Sequence, residues 1–176
     1  MRNTTETLSA TSPNHAMDNS GQQDVLVLNF TDGPVALNQL QLGWWSNDSD
    51  LSVLRWTGSG APDSGSASIT NQTVSSLLTS GWAFVAALSN VGTSSPASFN
   101  TGAAAVTSSY WLISAFNSSW GAGSITDTKS HYVKVLSVGA NVPTHRTNVP
   151  EPVSIALVGA ALLGVMGSRR RATLRH

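Results

Sequence analysis

Short apolar runs alternate along the middle of the chain with clusters of Asp, Gly, Pro, Ser and Asn. Apolar runs of this length, some with side chains alternating at every second position, are typical of β-strands, and the polar clusters between them are typical of turns. Residues 73–79 instead have Val74, Leu77 and Leu78 at helical spacing and predict one short helix. The pattern predicts six strands, at residues 25–30, 35–44, 51–56, 82–88, 109–116 and 131–138.

Six short strands linked by turn clusters indicate a mainly β fold, an antiparallel β-sandwich or jelly-roll-like domain. We assign this surface domain to residues 21–138. Residues 1–20 are polar and show no periodicity, which predicts a disordered or detached N-terminal segment. Residues 139–148, which include Pro143, predict a flexible linker to a separate segment, residues 149–176.

The last segment contains an apolar run, residues 153–167, in which Ser154 is the one polar side chain. As a helix it would extend roughly 22 Å, at 1.5 Å per residue, against about 30 Å for a hydrocarbon core. Local thinning and arginine side chains that reach the interface can cover the difference. We expect a single C-terminal transmembrane helix, and a buried core helix is the alternative. The predicted span consists of Val153, Ser154, Ile155, Ala156, Leu157, Val158, Gly159, Ala160, Ala161, Leu162, Leu163, Gly164, Val165, Met166 and Gly167.

The charges are distributed unevenly along the chain. The formal net charge is zero, but residues 1–148 carry −3 and residues 149–176 carry +3. The cluster Arg169, Arg170 and Arg171 follows the apolar run directly and predicts a cytoplasmic C-terminus. A mildly acidic body gives no general attraction to nucleic acid, so we expect no nucleic-acid partner.

The composition excludes several classes of protein. Because the chain has no cysteine, disulfide scaffolds, zinc ribbons, thiol nucleophiles and iron–sulfur ligation are excluded. Only 10% of the residues are charged, while 27 serines and 17 threonines supply the polar surface. This composition favours an extracellular β-rich protein over a cytosolic enzyme.

The C-terminal segment resembles the PEP-CTERM sorting signal, which combines a short motif, an apolar helix and an arginine cluster in that order. Here the motif is Val149-Pro150-Glu151-Pro152. The resemblance implies a bacterial surface or secreted protein whose tail is recognised at the motif and removed by exosortase, a membrane protease. It also implies that residues 153–167 are a transient anchor in the inner membrane and that the body associates with the cell surface or with exopolysaccharide.

Residues 24–30, 43–50, 54–58 and 132–136 resemble the exosortase-dependent surface proteins that share this tail. Members of that family carry an N-terminal signal peptide. No apolar stretch of the kind a signal peptide needs follows Met1-Arg2. We therefore expect the chain to be truncated at its N-terminus, with export depending on a signal peptide that is not present in this chain; the alternative is that the domain is never exported.

Two groups of side chains are candidate binding sites. Residues 47–50, Asn-Asp-Ser-Asp, offer oxygen ligands, and Asp48 and Asp50 are weak candidates for a structural calcium site. Turn formation by the same side chains is the alternative, since EF-hand spacing is missing. The six tryptophans are expected mainly to pack in the core and rim of the sandwich, and the alternative is a carbohydrate-binding surface for which Trp45 or Trp120 is the best candidate for an exposed ring. His131 and the other histidines show no metal-binding or catalytic spacing.

These features together predict a non-enzymatic, exported bacterial surface protein. We expect no catalytic residues and no cofactor, apart from the structural calcium that Asp48 and Asp50 could bind. We expect its partners to be an exosortase-type protease, the membrane and an exopolysaccharide. The alternative function is that of a carbohydrate-binding module that uses exposed tryptophans.

Overall fold

A computed structural model describes residues 15–62, 69 and 72–143 of the chain. These residues form two antiparallel four-stranded sheets and one short helix. The first sheet has the strand order β1-β8-β3-β6 and the second β2-β7-β4-β5. The elements are β1 (Met17–Asp18), β2 (Val25–Asn29), β3 (Ala36–Ser46), β4 (Leu51–Trp56), α1 (Val74–Ser80), β5 (Trp82–Leu88), β6 (Ala97–Ser98), β7 (Tyr110–Ala115) and β8 (Tyr132–Asn141).

The main core lies between the two sheets. Side chains from β3 and β8 of the first sheet pack with side chains from β4, β5 and β7 of the second. Burying apolar surface at about 25 cal/mol per Å² is the main force that holds such layers together. The buried members of this core are Val35, Leu37, Leu40, Leu42, Leu51, Val53, Leu88, Val91, Phe99, Trp111, Ile113 and Val133.

A second core covers the other side of the second sheet. Leu54 on β4 and Leu112 on β7 have neighbours that point into the main core, so these two side chains point away from it. The helix α1 and three tryptophans bury them, which explains why β4 and β7 carry apolar side chains on both faces. The buried members of the second core are Leu54, Trp56, Leu77, Trp82, Leu112 and Trp120.

The helix α1 has a defined cap at each end. The Thr73 side chain accepts a hydrogen bond from the Ser76 N–H at the N-terminus. Gly81 follows the C-terminus with φ 119°, a conformation that glycine adopts without strain. A Cβ atom added to Gly81 would lie 2.8 Å from the Trp56 ring. The Trp56 ring of the second core therefore packs directly against the Gly81 backbone, and no residue larger than glycine fits there.

The predicted mainly β class with antiparallel pairing is confirmed. Strands β4 and β5 have the predicted bounds, and the other four predicted strands are found with shifted ends. The two-residue strands β1 and β6 were not predicted, because two residues are too few to show alternation.

Two domain boundaries differ from the expected ones. Met17 pairs with Val133 and Asp18 with Tyr132, so the predicted detached segment already contributes to the first sheet. At the other end β8 extends to Asn141, because the long strand β3 offers pairing partners as far as Ala36. The predicted linker therefore begins inside a strand. Residues 1–14 and 144–176 lie outside the described residues.

The predicted membrane span at residues 153–167, the motif at residues 149–152 and the arginine cluster all lie outside the described residues. Within residues 15–62, 69 and 72–143, no helix is both long enough and apolar enough to cross a membrane.

Candidate functional site

Four chain segments that pass between the two sheets meet at one end of the β domain. They follow β1, β3, β5 and β7, and hydrogen bonds connect them to one another. We call the polar side chains that they bring together the polar cluster. It consists of Asn19, Asp48, Asp50, Asp127, Lys129 and His131.

The short turn between β3 and β4 buries two carboxylates. Asn47 adopts a left-handed conformation with φ 65°, which asparagine tolerates better than most residues. The Asp48 N–H then donates to the Ser46 carbonyl at 2.8 Å, and Asp48 Oδ1 accepts from the Ser49 N–H at 2.7 Å. Asp48 is 4% exposed and Asp50 1% exposed. Burial of two charged side chains this deep requires partners for both.

Asp48 is paired with a lysine. Lys129 Nζ donates to Asp48 Oδ2 at 2.7 Å, while the lysine side chain stays 57% exposed. Burial acts to raise the pKa of Asp48, but the hydrogen bonds from Lys129 and the Ser49 N–H and the lysine charge outweigh it. The pKa of Asp48 therefore lies below its ordinary value, and this carboxylate is ionised at neutral pH.

Asp50 is bound mainly by backbone groups. The Asn90 N–H donates to Asp50 Oδ1 at 2.6 Å, and the Phe116 N–H donates to the Asp50 carbonyl at 3.0 Å. Burial raises the pKa of Asp50 above its ordinary value, the Asn90 hydrogen bond opposes this, and the negative charge of Asp48 adds to the rise. Asp50 thus has less positive charge around it than Asp48.

His131 is fully buried and lies next to both carboxylates. Its Nδ1 accepts a 3.3 Å hydrogen bond from the Asp50 N–H, so in a neutral ring the proton is on Nε2. Among the described residues Nε2 has no hydrogen-bond partner, and Asp127 Oδ1 lies 3.8 Å away. The Phe116 ring packs edge-on at 5.7 Å between centroids. A buried polar atom left in this state destabilises the fold unless something else binds it.

Asn19 holds the cluster together from the N-terminal side. Its side-chain amide donates to the Phe116 carbonyl at 2.9 Å, and its Oδ1 accepts from the His131 N–H at 2.8 Å. The Asn19 side chain thereby links the end of β1 to both ends of the β7–β8 connection. The strand β1 is short, but this contact explains why it is part of the fold.

Asp48, Asp50 and His131 each offer one ligand atom, and these atoms lie within 4.8 Å of one another. The structure thus brings together the two carboxylates that the sequence singled out, but it adds a histidine that was not among the candidates. The sequence did not indicate His131, because it lies 81 positions from Asp50 and spacing rules apply only to residues close together along the chain. The Asn47 amide does not join them and donates instead to the Ser130 carbonyl at 2.6 Å.

The two candidate tryptophans are in different environments. Trp45 is 45% exposed at the end of β3, and its neighbour Trp44 is 37% exposed. Lys134 Nζ lies 5.1 Å from the centroid of the Trp44 ring. The expectation that Trp120 is an exposed ring is wrong. It is 4% exposed in the second core, and its Nε1 donates to the Val74 carbonyl.

Comparison with known families assigns the C-terminal segment. Residues 148–171 match the model of the PEP-CTERM protein-sorting motif. A search of curated proteins and a search of solved structures found no match. The predicted resemblance is therefore confirmed for the sorting segment, and residues 148–171 carry a PEP-CTERM protein-sorting motif. This motif marks a surface protein that is targeted to exosortase.

Proposed function

We propose that the chain is an exported bacterial protein that is held briefly in the inner membrane, cut by exosortase, and then displayed at the cell surface or secreted. The match of residues 148–171 to the sorting motif is the observation that carries this proposal. In it, the motif Val149-Pro150-Glu151-Pro152 is the recognition element and residues 153–167 form the anchor. Arg169–Arg171 stay on the cytoplasmic side because arginine next to an apolar helix is retained there.

In this proposal the β domain is non-catalytic and contacts the cell surface or exopolysaccharide. The bonding of the polar cluster supports a structural role for its side chains. Asp50 Oδ1 accepts from the Asn90 backbone, and Asn19 binds two backbone groups, so these polar atoms maintain the fold. The abundance of serine and threonine supplies hydroxyl groups that can hydrogen-bond to water at an outer surface.

A motif variant tests the proposal. The full chain, placed behind a secretory signal peptide and an N-terminal epitope, is expressed in a bacterium that has an exosortase. We expect the wild type to be shortened and found outside the inner membrane. The double variant Pro150→Ala/Pro152→Ala should stay in the inner membrane at full length, because the protease no longer recognises it.

Pro143→Ala is the matched control, since it changes a proline outside the matched residues 148–171. Processing of this variant should equal that of the wild type. If the double variant is shortened and released like the wild type, the motif does not direct processing and the proposal fails.

Carbohydrate binding is a second candidate function for the β domain, and the exposed pair Trp44 and Trp45 is the observation that favours it. An exposed indole ring offers a flat apolar face on which a sugar ring can stack, together with an N–H donor. Trp120 has no part in this candidate function, because it is buried in the second core.

Affinity electrophoresis in a gel that contains the host's purified exopolysaccharide tests this candidate. Binding should retard the wild type, and Trp45→Ala should abolish the retardation. Leu78→Ala is the matched control, because Leu78 is another exposed apolar side chain but lies on α1. Equal retardation of Trp45→Ala and wild type would exclude Trp45 as the binding residue.

A further inference from the structure

We propose that Asp48, Asp50 and His131 bind one divalent transition-metal ion and that they hold Zn²⁺ more tightly than Mn²⁺ or Ca²⁺. The three ligand atoms already lie within 4.8 Å of one another. Zinc–oxygen and zinc–nitrogen bonds are about 2.0–2.2 Å long, so two ligand atoms at a tetrahedral angle on one ion lie about 3.3–3.6 Å apart. Side-chain shifts of about 1 Å would bring ligand atoms that are up to 4.8 Å apart to this spacing.

The charges of the polar cluster favour a bound cation. Among its described residues, Asp48, Asp50 and Asp127 are acidic, whereas Lys129 is the one side chain with a permanent positive charge. Two of the carboxylates are almost completely buried. Negative charge in excess of its partners is costly away from water, and a divalent ion bound to Asp48 and Asp50 removes that excess.

The imidazole of His131 supplies the second, independent observation. Its Nε2 is buried without a hydrogen-bond partner among the described residues, 3.8 Å from Asp127 Oδ1. Its Nδ1 is held by a long bond of 3.3 Å from the Asp50 N–H. Metal-binding histidines commonly give one nitrogen to the ion and donate the other N–H to a carboxylate. Metal binding at Nδ1 replaces the 3.3 Å hydrogen bond from the Asp50 N–H, and Asp127 is then the acceptor for Nε2–H.

The donor set decides which metal is preferred. Calcium takes six to eight oxygen ligands, whereas one nitrogen and two carboxylates suit a borderline transition metal. Among such metals the usual order of affinity places Zn²⁺ above Mn²⁺. The calcium site that the sequence suggested at Asp48 and Asp50 is thereby revised to a zinc site that includes His131.

Lys129 competes with the ion for Asp48. Its ammonium group lies 2.7 Å from Asp48 Oδ2, but its side chain is 57% exposed and can move into solvent. An open groove of about 170 Å³ is lined by Asp127 and Lys129, so the face of the cluster next to these residues is reachable from water. Removing the ammonium group should therefore strengthen metal binding, which a purely structural role of Lys129 does not predict.

Isothermal titration calorimetry on the full chain, purified in detergent and stripped with EDTA, tests the proposal with ZnCl₂, MnCl₂ and CaCl₂. We expect one equivalent of Zn²⁺ to bind, with Mn²⁺ weaker and Ca²⁺ weakest. Asp50→Asn should weaken Zn²⁺ binding by roughly 100-fold, because even outer partners of metal ligands account for 10- to 100-fold. Asp32→Asn, in an exposed turn, should leave the Kd unchanged.

Lys129→Met keeps the proposal falsifiable if Asp50→Asn does not fold. We expect its Kd for Zn²⁺ to be several-fold lower than that of the wild type. No Zn²⁺ binding by the wild type would overturn the proposal. So would an unchanged Kd in folded Asp50→Asn, which would assign the ion to other histidines, or tighter binding of Ca²⁺ than of Zn²⁺. An unchanged or higher Kd in Lys129→Met would also contradict the proposal, because it would show that Lys129 does not compete with the ion for Asp48.

Discussion

In the short segment of residues 44–50, the apolar residues 44–45 are exposed and the polar residues 48–50 are buried. This is the opposite of what their polarity suggests. We call residues 48–50 the enclosed half and residues 44–45 the open half. Trp44 and Trp45 are 37% and 45% exposed, whereas Asp48 and Asp50 are 4% and 1% exposed. The tryptophans lie at the far end of β3, which runs past the main core. The aspartates lie in the turn that the other connections cover.

The difference teaches that topology determines burial here more strongly than residue type. The turn after β3 lies beneath three other connections, so its carboxylates are enclosed and acquire backbone and lysine partners. None of the described connections covers the end of β3 in this way, and a β-bulge between Leu42 and Trp44 shifts the side chains that follow it. The proposed ion site thus lies in the buried residues 48–50, and the proposed carbohydrate-binding surface lies at the exposed residues 44–45.

The largest expected difference in stability is between a variant of a buried tryptophan and a variant of an exposed one. Trp120→Ala should reduce the free energy of unfolding by about 3–5 kcal/mol, because it leaves a cavity in the second core. Trp45→Ala should change it by less than about 0.5 kcal/mol, as is usual for exposed positions. Urea denaturation followed by circular dichroism measures both. A similar cost for the two variants would show that Trp45 is part of a core.

The next effect concerns the enclosed carboxylates. Asp50→Ala should destabilise the β domain by about 1–3 kcal/mol, because it leaves the Asn90 N–H without its acceptor. Asp32→Ala, on an exposed turn, is the control and should be near neutral. The same denaturation experiment, run with EDTA, measures this cost in the absence of metal. Equal stabilities of the two variants would show that burial of Asp50 is unimportant.

The strands could be predicted from the sequence where local pattern and tertiary burial agree. The bounds of β4 and β5 could be predicted because β5 is a continuous apolar run, β4 is mostly apolar, and both end at polar clusters. The strand β1 could not, because its two residues are held by pairing with β8 and by Asn19, contacts that span more than 100 positions.

The site could be predicted only in part for the same reason. Asp48 and Asp50 are adjacent in the sequence, and their oxygen-rich composition is visible without a structure. His131 joins them through the packing of the β7–β8 connection, which no local spacing reports. The burial of Trp120 follows from its contact with Val74 on α1, so its exposure could not be judged from its polar neighbours.

A smaller effect tests how the connections are joined. Asn19→Ala should destabilise the β domain by about 1–2 kcal/mol, because the Phe116 carbonyl and the His131 N–H lose their partner. Hydrogen exchange should also become faster at the His131 amide. Unchanged exchange at that position would mean that the side chain of Asn19 does not hold the enclosed half in place.

The smallest effect concerns the open half. Lys134→Met should cost about 0.5 kcal/mol, the typical size of an exposed cation–π contact with a ring such as Trp44. A double-mutant cycle with Trp44→Ala isolates this contact from other effects of each change. A coupling of several kcal/mol would contradict the account, since it would require the pair to be enclosed.

The most direct test of the central claim, that the tail sorts the chain and is then removed, is the intact mass of the surface protein. The chain is expressed behind a signal peptide in an exosortase-bearing bacterium, and the surface fraction is analysed by mass spectrometry. The account predicts a mature protein that has lost the tail with Arg169, Arg170 and Arg171. Surface protein that still contains these arginines would contradict it.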